Sequence, residues 1–496
     1  MILNLLVLAL SAAVWISAVW LLLLPRLAVW PDVALVALHA IPPACITVAW
    51  IFQRRRIQGR HADEAQAREE KAQAERAAAH EAGRKAYDEE IRHRRFACDC
   101  RMIVFSRVSL AAPLPLPDPG LPNVDIRPVE LETATSPEGS LIERLAPALG
   151  QALSSMYSTC RASLAFPVYV VPPADVPGEE VLSCVRALQA SCAAELAPEM
   201  GRVAAVAPIL FLPSGESVPD RILSLFESAP ELPGAILLAF DSPHARIASA
   251  DGFIDEPDAA AIAHERLAGK AGEAVVALLV TNASLPSMLA AVASAPEANE
   301  ADSMTPYWER GIHAGGGLEI LSHASPELRE ELAALPVLGR VHRATVRQSS
   351  DRSGVLALTR LVQDALEQAQ IDAGLIDPPF AFNDAPDDEA ARMSSRGETC
   401  SAIVHNAGSV DMAGGSLAAL GSALYYFNID LSPVDEDAVL NMVTRVGDAG
   451  RAAGMAQLAF ALVYAAQNAA PALCSEFMHD NGVAVSFVMP ATAADT

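Results

Sequence analysis

The sequence predicts an α/β soluble region carried behind a two-helix membrane hairpin and a helical stalk, on three observations. Met1 to Leu24 contains no charged residue, and a second apolar run covers Val33 to Phe52. Residues 61–95 are dominated by Ala, Glu and Arg. From Arg101 onward, short runs that are apolar throughout alternate with helical stretches, the pattern of strands buried on both faces of a sheet.

The first apolar run would reach about 36 Å as a helix at 1.5 Å per residue, enough to cross a bilayer. It has no basic start and its core is too long for a cleaved signal peptide, so a retained span is expected. Pro42 and Pro43 lie inside the second run and imply a kink rather than an end. Arg54, Arg55, Arg56 and Arg60 follow at once, whereas the connection between the runs holds only Arg26 and Asp32. That asymmetry places both ends of the hairpin in the cytoplasm. Trp20 and Trp30 fall near one membrane interface and Trp50 near the other, as aromatic anchors do.

Residues 53–95 carry 12 Lys/Arg against 9 Asp/Glu. Strong helix formers and i,i+4 charge pairs predict a solvated helix there, without the large apolar a/d stripe of a coiled coil. The remainder, from Phe96, has 22 basic against 50 acidic residues. Nucleic acid is excluded as a partner on that balance, because its binding needs a basic surface. A partner with a basic surface suits it better, although acidic charge also simply keeps a domain soluble.

Expected strands in the soluble part cover 101–110, 166–173, 203–213, 234–242, 273–282, 340–347, 401–407 and 482–490. Helical stretches lie at 178–196, 218–229 and 353–370. Proline- and aspartate-rich segments at 112–123 and 376–388 read as loops, and 295–307 reads as an internal boundary. The expected division is a transmembrane hairpin over 1–52, a charged stalk over 53–95, and two α/β halves over 96–300 and 301–496.

Motifs for chemistry are sparse. The chain has no phosphate-binding GxxxxGK[ST], no strand-linked GxGxxG, no HExxH and no GxSxG elbow. The eight cysteines form no CxxC pair, so no metal or other cofactor is expected. "HAGGG" at 313–317 is similar to an oxyanion loop but, without a nucleophile elbow, reads as a turn. Lone histidines at 244, 264, 313, 323, 342, 405 and 479 read as structural or exposed.

One stretch carries more. "VHNAGSVDMAGGSLAALGSALYYF", from Val404 to Phe427, opens as a glycine-containing loop and runs into a helix. It resembles the "GHTLGAAGALEAA" signature of β-ketoacyl synthases, in the thiolase superfamily. "YSTCRASL" around Cys160 is faintly similar to that family's nucleophile stretch, and "CSEFMHDNGVAVSFVMP" to its final loop and strand. The resemblance implies a layered thiolase-like arrangement in two halves. It also implies a pocket whose relics are Asn406, Gly408, Ser409, Asp411 and Cys160. Ser409 stands where the family's catalytic histidine is expected, and a serine cannot become a cation near neutral pH. No catalytic residue is therefore assigned, and a non-enzymatic role is expected.

The whole layout resembles the type VI secretion lipase-adaptor family, in which a membrane segment precedes a soluble part in two α/β halves. That resemblance implies an adaptor in the bacterial inner membrane, with the bulk of the chain facing the cytoplasm. Such an adaptor binds a secreted phospholipase effector and delivers it to the spike protein of the injection machine. Two alternatives stand beside it: a divergent acyl-transfer enzyme using Cys160, Cys184 or Cys192, and a structural membrane component, homo-oligomeric or not.

Overall fold

The computed structural model describes residues 2–22, 32–110, 120–130, 140–200, 207–244, 270–294, 321, 324–348, 354–376, 400–408, 410–434, 438–478 and 482–491. The chain forms two compact units, Met1–Glu89 and Glu90–Thr496.

In the first unit, helix α1 (Ile2–Leu22) is followed by α2 (Asp32–Arg94), a single helix of 63 residues. The second apolar run and the stalk are thus one continuous helix, about 95 Å long at 1.5 Å per residue. Pro42 and Pro43 sit inside α2 without ending it. A proline at 42 leaves the Leu38 carbonyl without its helical donor. The Trp15 indole of α1 supplies one instead, at 2.7 Å. Thr47 Oγ1 similarly donates to the Pro43 carbonyl at 2.8 Å. Leu5, Leu10, Val14 and Leu21 of α1, and Val36, Ile46, Val48 and Phe52 of α2, are exposed. Of the described helices, α2 is long and apolar enough to cross a membrane; Leu5–Leu21 of α1 is a shorter apolar helix. Trp20 and Trp50 are exposed on these helices, Arg54 to Arg56 follow on α2, and Trp30 lies outside the described residues. Farther along, Lys85 pairs with Glu81 at 2.8 Å on a face open to solvent.

In the second unit the chain order is as follows. β1 (Ala97–Ser109) and β2 (Val124–Val129) lead to α3 (Leu141–Thr159), β3 (Val168–Val171) and α4 (Gly178–Met200). β4 (Ile209–Phe211), α5 (Val218–Ser228), β5 (Gly234–Asp241), β6 (Ala274–Asn282) and α6 (Leu285–Ser294) follow. Then come α7 (Pro326–Ala334), β7 (Gly339–His342), β8 (Thr345–Gln348), α8 (Gly354–Asp372), β9 (Ala402–His405) and α9 (Val410–Tyr426). The chain closes with β10 (Val439–Asn441), α10 (Met442–Arg445), α11 (Ala453–Asn468), β11 (Ala472–Phe477) and β12 (Gly482–Pro490).

These strands form one mixed sheet in the order β10-β9-β11-β12-β7-β1-β6-β5-β3-β4. The order reads the same outward from its centre in both directions. β1 is antiparallel to β6, β6 to β5, and β5, β3 and β4 are mutually parallel. β7 is antiparallel to β12, β12 to β11, and β11, β9 and β10 are parallel. Helices fall at matching places too: α3 with α8, α4 with α9, and α5 with α11. The halves meet where β1 pairs with β7 from Ala97–His342 to Cys100–Gly339. They differ in one strand, since β2 pairs with β1 whereas β8 pairs with β12. The expected boundary at 295–307 and the 313–317 turn lie outside the described residues.

Three apolar cores sort the layers. One joins α3 and α4 to β1, β3, β5 and β6; a second joins α8 and α9 to β9, β11 and β12. The third joins the opposite faces of both half-sheets through α5 and α11. Two helix layers therefore lie outside two half-sheets, with α5 and α11 between them. All positions from Met455 to Ala465 of α11 are buried, as a central helix that is apolar there but for Gln457 requires. The soluble part is thus a layered α/β arrangement in two halves.

The single strand expected over 340–347 is broken into β7 and β8. Arg343 leaves the ladder to pair with Glu227, and the Ala344 amide donates to Asp220 Oδ1 at 3.2 Å. β2, β10, α3, α6, α7, α10 and α11 were not anticipated from the sequence, and the stretch from Cys474 expected as a loop is strand as far as Phe477, in β11.

Candidate functional site

The two central helices meet at their N-termini. A side chain built on Gly454, in the first turn of α11, would come within 2.9 Å of Val218 Cγ2 at the start of α5. It would also lie 3.5 Å from both carboxyl oxygens of Glu476, near the end of β11. Glycine at 454 is what lets the helices and this carboxyl approach. α5 begins at an N-cap, Ser217, whose hydroxyl accepts from the Asp220 amide at 3.3 Å. α11 is preceded by a short 3-10 turn, Gly450–Ala452, whose first amides are held by carboxylates. Gly450 donates to Asp448 at 2.7 Å, and Arg451 to Asp241 at 2.8 Å. Asp241 closes β5, so a carboxylate of the first half holds the turn that leads into the central helix of the second.

The ends of β9, β10 and β11 converge on the same junction. Asn406 donates to the Phe477 carbonyl at 3.1 Å and accepts from the Phe477 amide at 2.6 Å, extending the β9–β11 ladder by a side chain. Asn441 donates to the Gly408 carbonyl at 2.9 Å and caps α10 through the Val443 amide. Gly408 adopts φ +85°, the left-handed turn that sends the chain from β9 toward α9. Gln457 of α11 donates to the Val404 and Ser475 carbonyls, at 3.1 and 2.7 Å, tying the central helix to both strands.

His405 is fully buried beside this loop. Its Nδ1 accepts from the Ala407 amide at 3.1 Å and its Nε2 lies 3.0 Å from the Pro433 carbonyl. The imidazole is therefore neutral with its proton on Nε2, and burial lowers its pKa to about 4. Both nitrogens are occupied in bracing backbone.

Of the residues singled out in the sequence, Asn406 and Gly408 come together at the junction. Asp411 lies in the first turn of α9, and Ser409 falls outside the described residues. Cys160 does not join them: it is buried in the outer core beneath α3, on the other face of its half-sheet. Cys184 and Cys192 lie on α4, in that same outer layer. Burial raises the thiols of Cys160 and Cys474 to about 12, so neither is a thiolate near neutral pH. No group of three metal-ligating side chains occurs among the described residues. Glu476, Gly454 and Asp241 escaped the sequence reading, because their proximity depends on strands that the duplicated topology brings together.

No protein-family model matches the chain, and no curated protein matches its sequence. Solved structures resemble it in fold at low identity. Acetyl-CoA acetyltransferase from Syntrophomonas wolfei aligns at 7% identity over 80% of this chain and 100% of its own, with a TM-score of 0.41. Human mitochondrial 3-ketoacyl-CoA thiolase aligns at 7% identity over 80% of this chain and 99% of its own, with a TM-score of 0.39. The PfaC ketosynthase–chain length factor aligns at 15% identity over 56% of this chain, with a TM-score of 0.30; this chain spans 22% of its length. Likeness at this level concerns architecture alone, and the layered arrangement rests on the strand order and the three cores.

Proposed function

We propose that the chain is a non-catalytic binding protein, a thiolase-like scaffold anchored to a membrane by α1 and the apolar part of α2. The observation that carries the reading is the content of the junction between the central helices. It holds Gly454, Val218 and the Glu476 carboxyl, and the nearby imidazole of His405 is engaged at both nitrogens. Acyl transfer through a thiol requires a thiolate and a base in reach of it. The buried thiols are held neutral by desolvation, which weighs against that chemistry. Ser409 in place of an imidazole weighs the same way.

The client is the finer part of the proposal. It is a secreted phospholipase effector, passed to the spike protein of a type VI secretion machine, as the likeness of layout to lipase adaptors implies. The arginines after the second apolar run support an inner-membrane anchor with the acidic body in the cytoplasm. The excess of 28 negative charges from Phe96 onward suits a client with a basic surface. Affinity capture with the full-length chain from native membranes tests it. Stoichiometric enrichment of a lipase-like effector or a spike protein is expected. Recovery of the chain's own copies or other membrane subunits alone contradicts the client.

A further inference from the structure

Between Asp32 and Asp63, α2 holds four arginines, Arg54, Arg55, Arg56 and Arg60, and no acidic residue. None of the four makes an ion pair or a side-chain hydrogen bond with a described residue. Arg55, Arg56 and Arg60 are exposed. The first carboxylate with a partner beyond them, Glu64, lies 3.8 Å from His61. Farther along the same helix, cations have carboxylates one turn away, Lys71 at 3.9 Å from Glu75 and Lys85 at 2.8 Å from Glu81. The four arginines thus form a concentrated positive belt with no internal counter-charge.

Apolar side chains are interleaved with them. Phe52, Arg56 and Arg60 are spaced by four and share one helix face, while Trp50, Arg54 and Ile57 share another. Trp50, Phe52 and Ile57 are 41%, 70% and 47% exposed. A Cβ on Gly59 would meet nothing within 4 Å, so the space beside the belt is open. Bulk water suits the arginines but not Phe52 and Ile57, and hydrocarbon does the reverse. A layer that offers phosphates and the upper ends of acyl chains together suits all of them.

The position along α2 agrees. Val33 to Phe52 reaches about 30 Å as a helix, the thickness of a bilayer's hydrocarbon core. Arg54 to Arg60 then covers about 9 Å, the length of helix that passes through the headgroup layer and just beyond it. α2 is unbroken there, so the arginines are carried on the same rigid element as the apolar run. A guanidinium meets a phosphate through two parallel hydrogen bonds, and a juxtamembrane basic cluster attracts anionic lipid.

We propose that Arg54, Arg55, Arg56 and Arg60 form a binding belt for the headgroup phosphates of anionic phospholipids, with Trp50, Phe52 and Ile57 contacting the adjoining acyl chains. The proposal rests on the reading of α2 as a membrane anchor and adds to it a preference among lipids.

The test reconstitutes the full-length chain into vesicles of equal phosphatidylglycerol and phosphatidylcholine. Flotation is read first. The chain is then re-extracted in mild detergent and washed, and the lipid it retains is counted by mass spectrometry. Retention of phosphatidylglycerol several-fold above phosphatidylcholine is expected. Joint replacement Arg54→Gln, Arg55→Gln, Arg56→Gln and Arg60→Gln is expected to abolish the preference, whereas Arg68→Gln with Arg76→Gln on the stalk leaves it. Excess inorganic phosphate is expected to leave the lipid bound. Equal retention of the two lipids by the parent chain overturns the proposal while leaving the anchor standing. Displacement by inorganic phosphate also overturns it, since the belt would then be a site for free anions. A chain that floats with vesicles of neither composition, mixed or pure phosphatidylcholine, overturns the anchor itself.

Discussion

The Asp241 carboxylate accepts a hydrogen bond from the Arg451 amide at 2.8 Å, across 210 residues of chain. Its other oxygen accepts from the Ser242 amide at 2.8 Å. One half of the molecule thereby holds the 3-10 turn that leads into the central helix of the other. Asp241→Ala is expected to lower stability by about 1–2 kcal/mol, the order of a charge-assisted hydrogen bond to a backbone amide, with Asp241→Asn costing less. Urea midpoints of the two variants and the parent check it; equal midpoints would mean that this hydrogen bond between the halves contributes nothing to stability.

A second seam lies next to the first. Gly447 has φ +82°, and a Cβ there would sit 2.3 Å from the Lys270 carbonyl oxygen. Around it, Gly272 donates to the Asp448 carbonyl at 2.7 Å and Ser109 Oγ to the Val446 carbonyl at 2.8 Å. Gly447→Ala therefore meets both a disfavoured backbone conformation and a backbone clash. A loss of more than about 2 kcal/mol is expected, read from the thermal midpoint.

The buried histidines give the fold an acid limit. His405 and His342 both have pKa values lowered to about 4, chiefly by burial. Between about 6.5 and 4 the unfolded chain binds protons that the folded chain refuses, so stability falls as pH falls through that window. Each histidine adds at most about 1.4 kcal/mol per pH unit there. His405→Asn is expected to flatten the dependence of the urea midpoint on pH between 6.5 and 4, at the cost of some stability at pH 7. An unchanged slope would mean that His405 is protonated in the folded state.

At the other end of the chain, Trp15 donates to a carbonyl that Pro42 leaves bare. Trp15→Phe should weaken packing of α1 on α2 by about 0.5–1.5 kcal/mol. Pro42→Ala returns a helical donor to Leu38, so Trp15→Phe should cost markedly less in that background. Detergent-denaturation midpoints of the double-mutant cycle decide it. Equal costs in both backgrounds would show that the indole acts by packing alone.

Much of this architecture was legible locally. The apolar strands β1, β5, β6 and β12 stand out because they are buried on both faces, and α5 announces itself by Ser217 and the proline that follows Val218. The α9 loop was legible from Asn406 and Gly408. What escaped has a common cause. β10 has three residues, and α11 is apolar on nearly every side, Gln457 breaking the run only once before its C-terminal end, so neither shows a period that betrays its type. The duplication left no repeat in the sequence, because each half keeps only the order of its elements. Glu476 looked like any of the chain's acidic residues until β11 placed it over Gly454. Cys160 matched a motif in letters but lies in the outer core, where its surroundings hold the thiol neutral.

The central claim is a thiolase-like scaffold without thiol chemistry, and the most direct measurement is exposure of the native full-length chain to a short acyl thioester. Intact mass and peptide mapping over time read the result. The account predicts no cysteine acylated faster than a free thiol of ordinary pKa, with Cys98, Cys100, Cys160, Cys400 and Cys474, whose thiols burial pushes up, the slowest. Rapid stoichiometric acylation of one cysteine in the folded chain, abolished on unfolding, would contradict it.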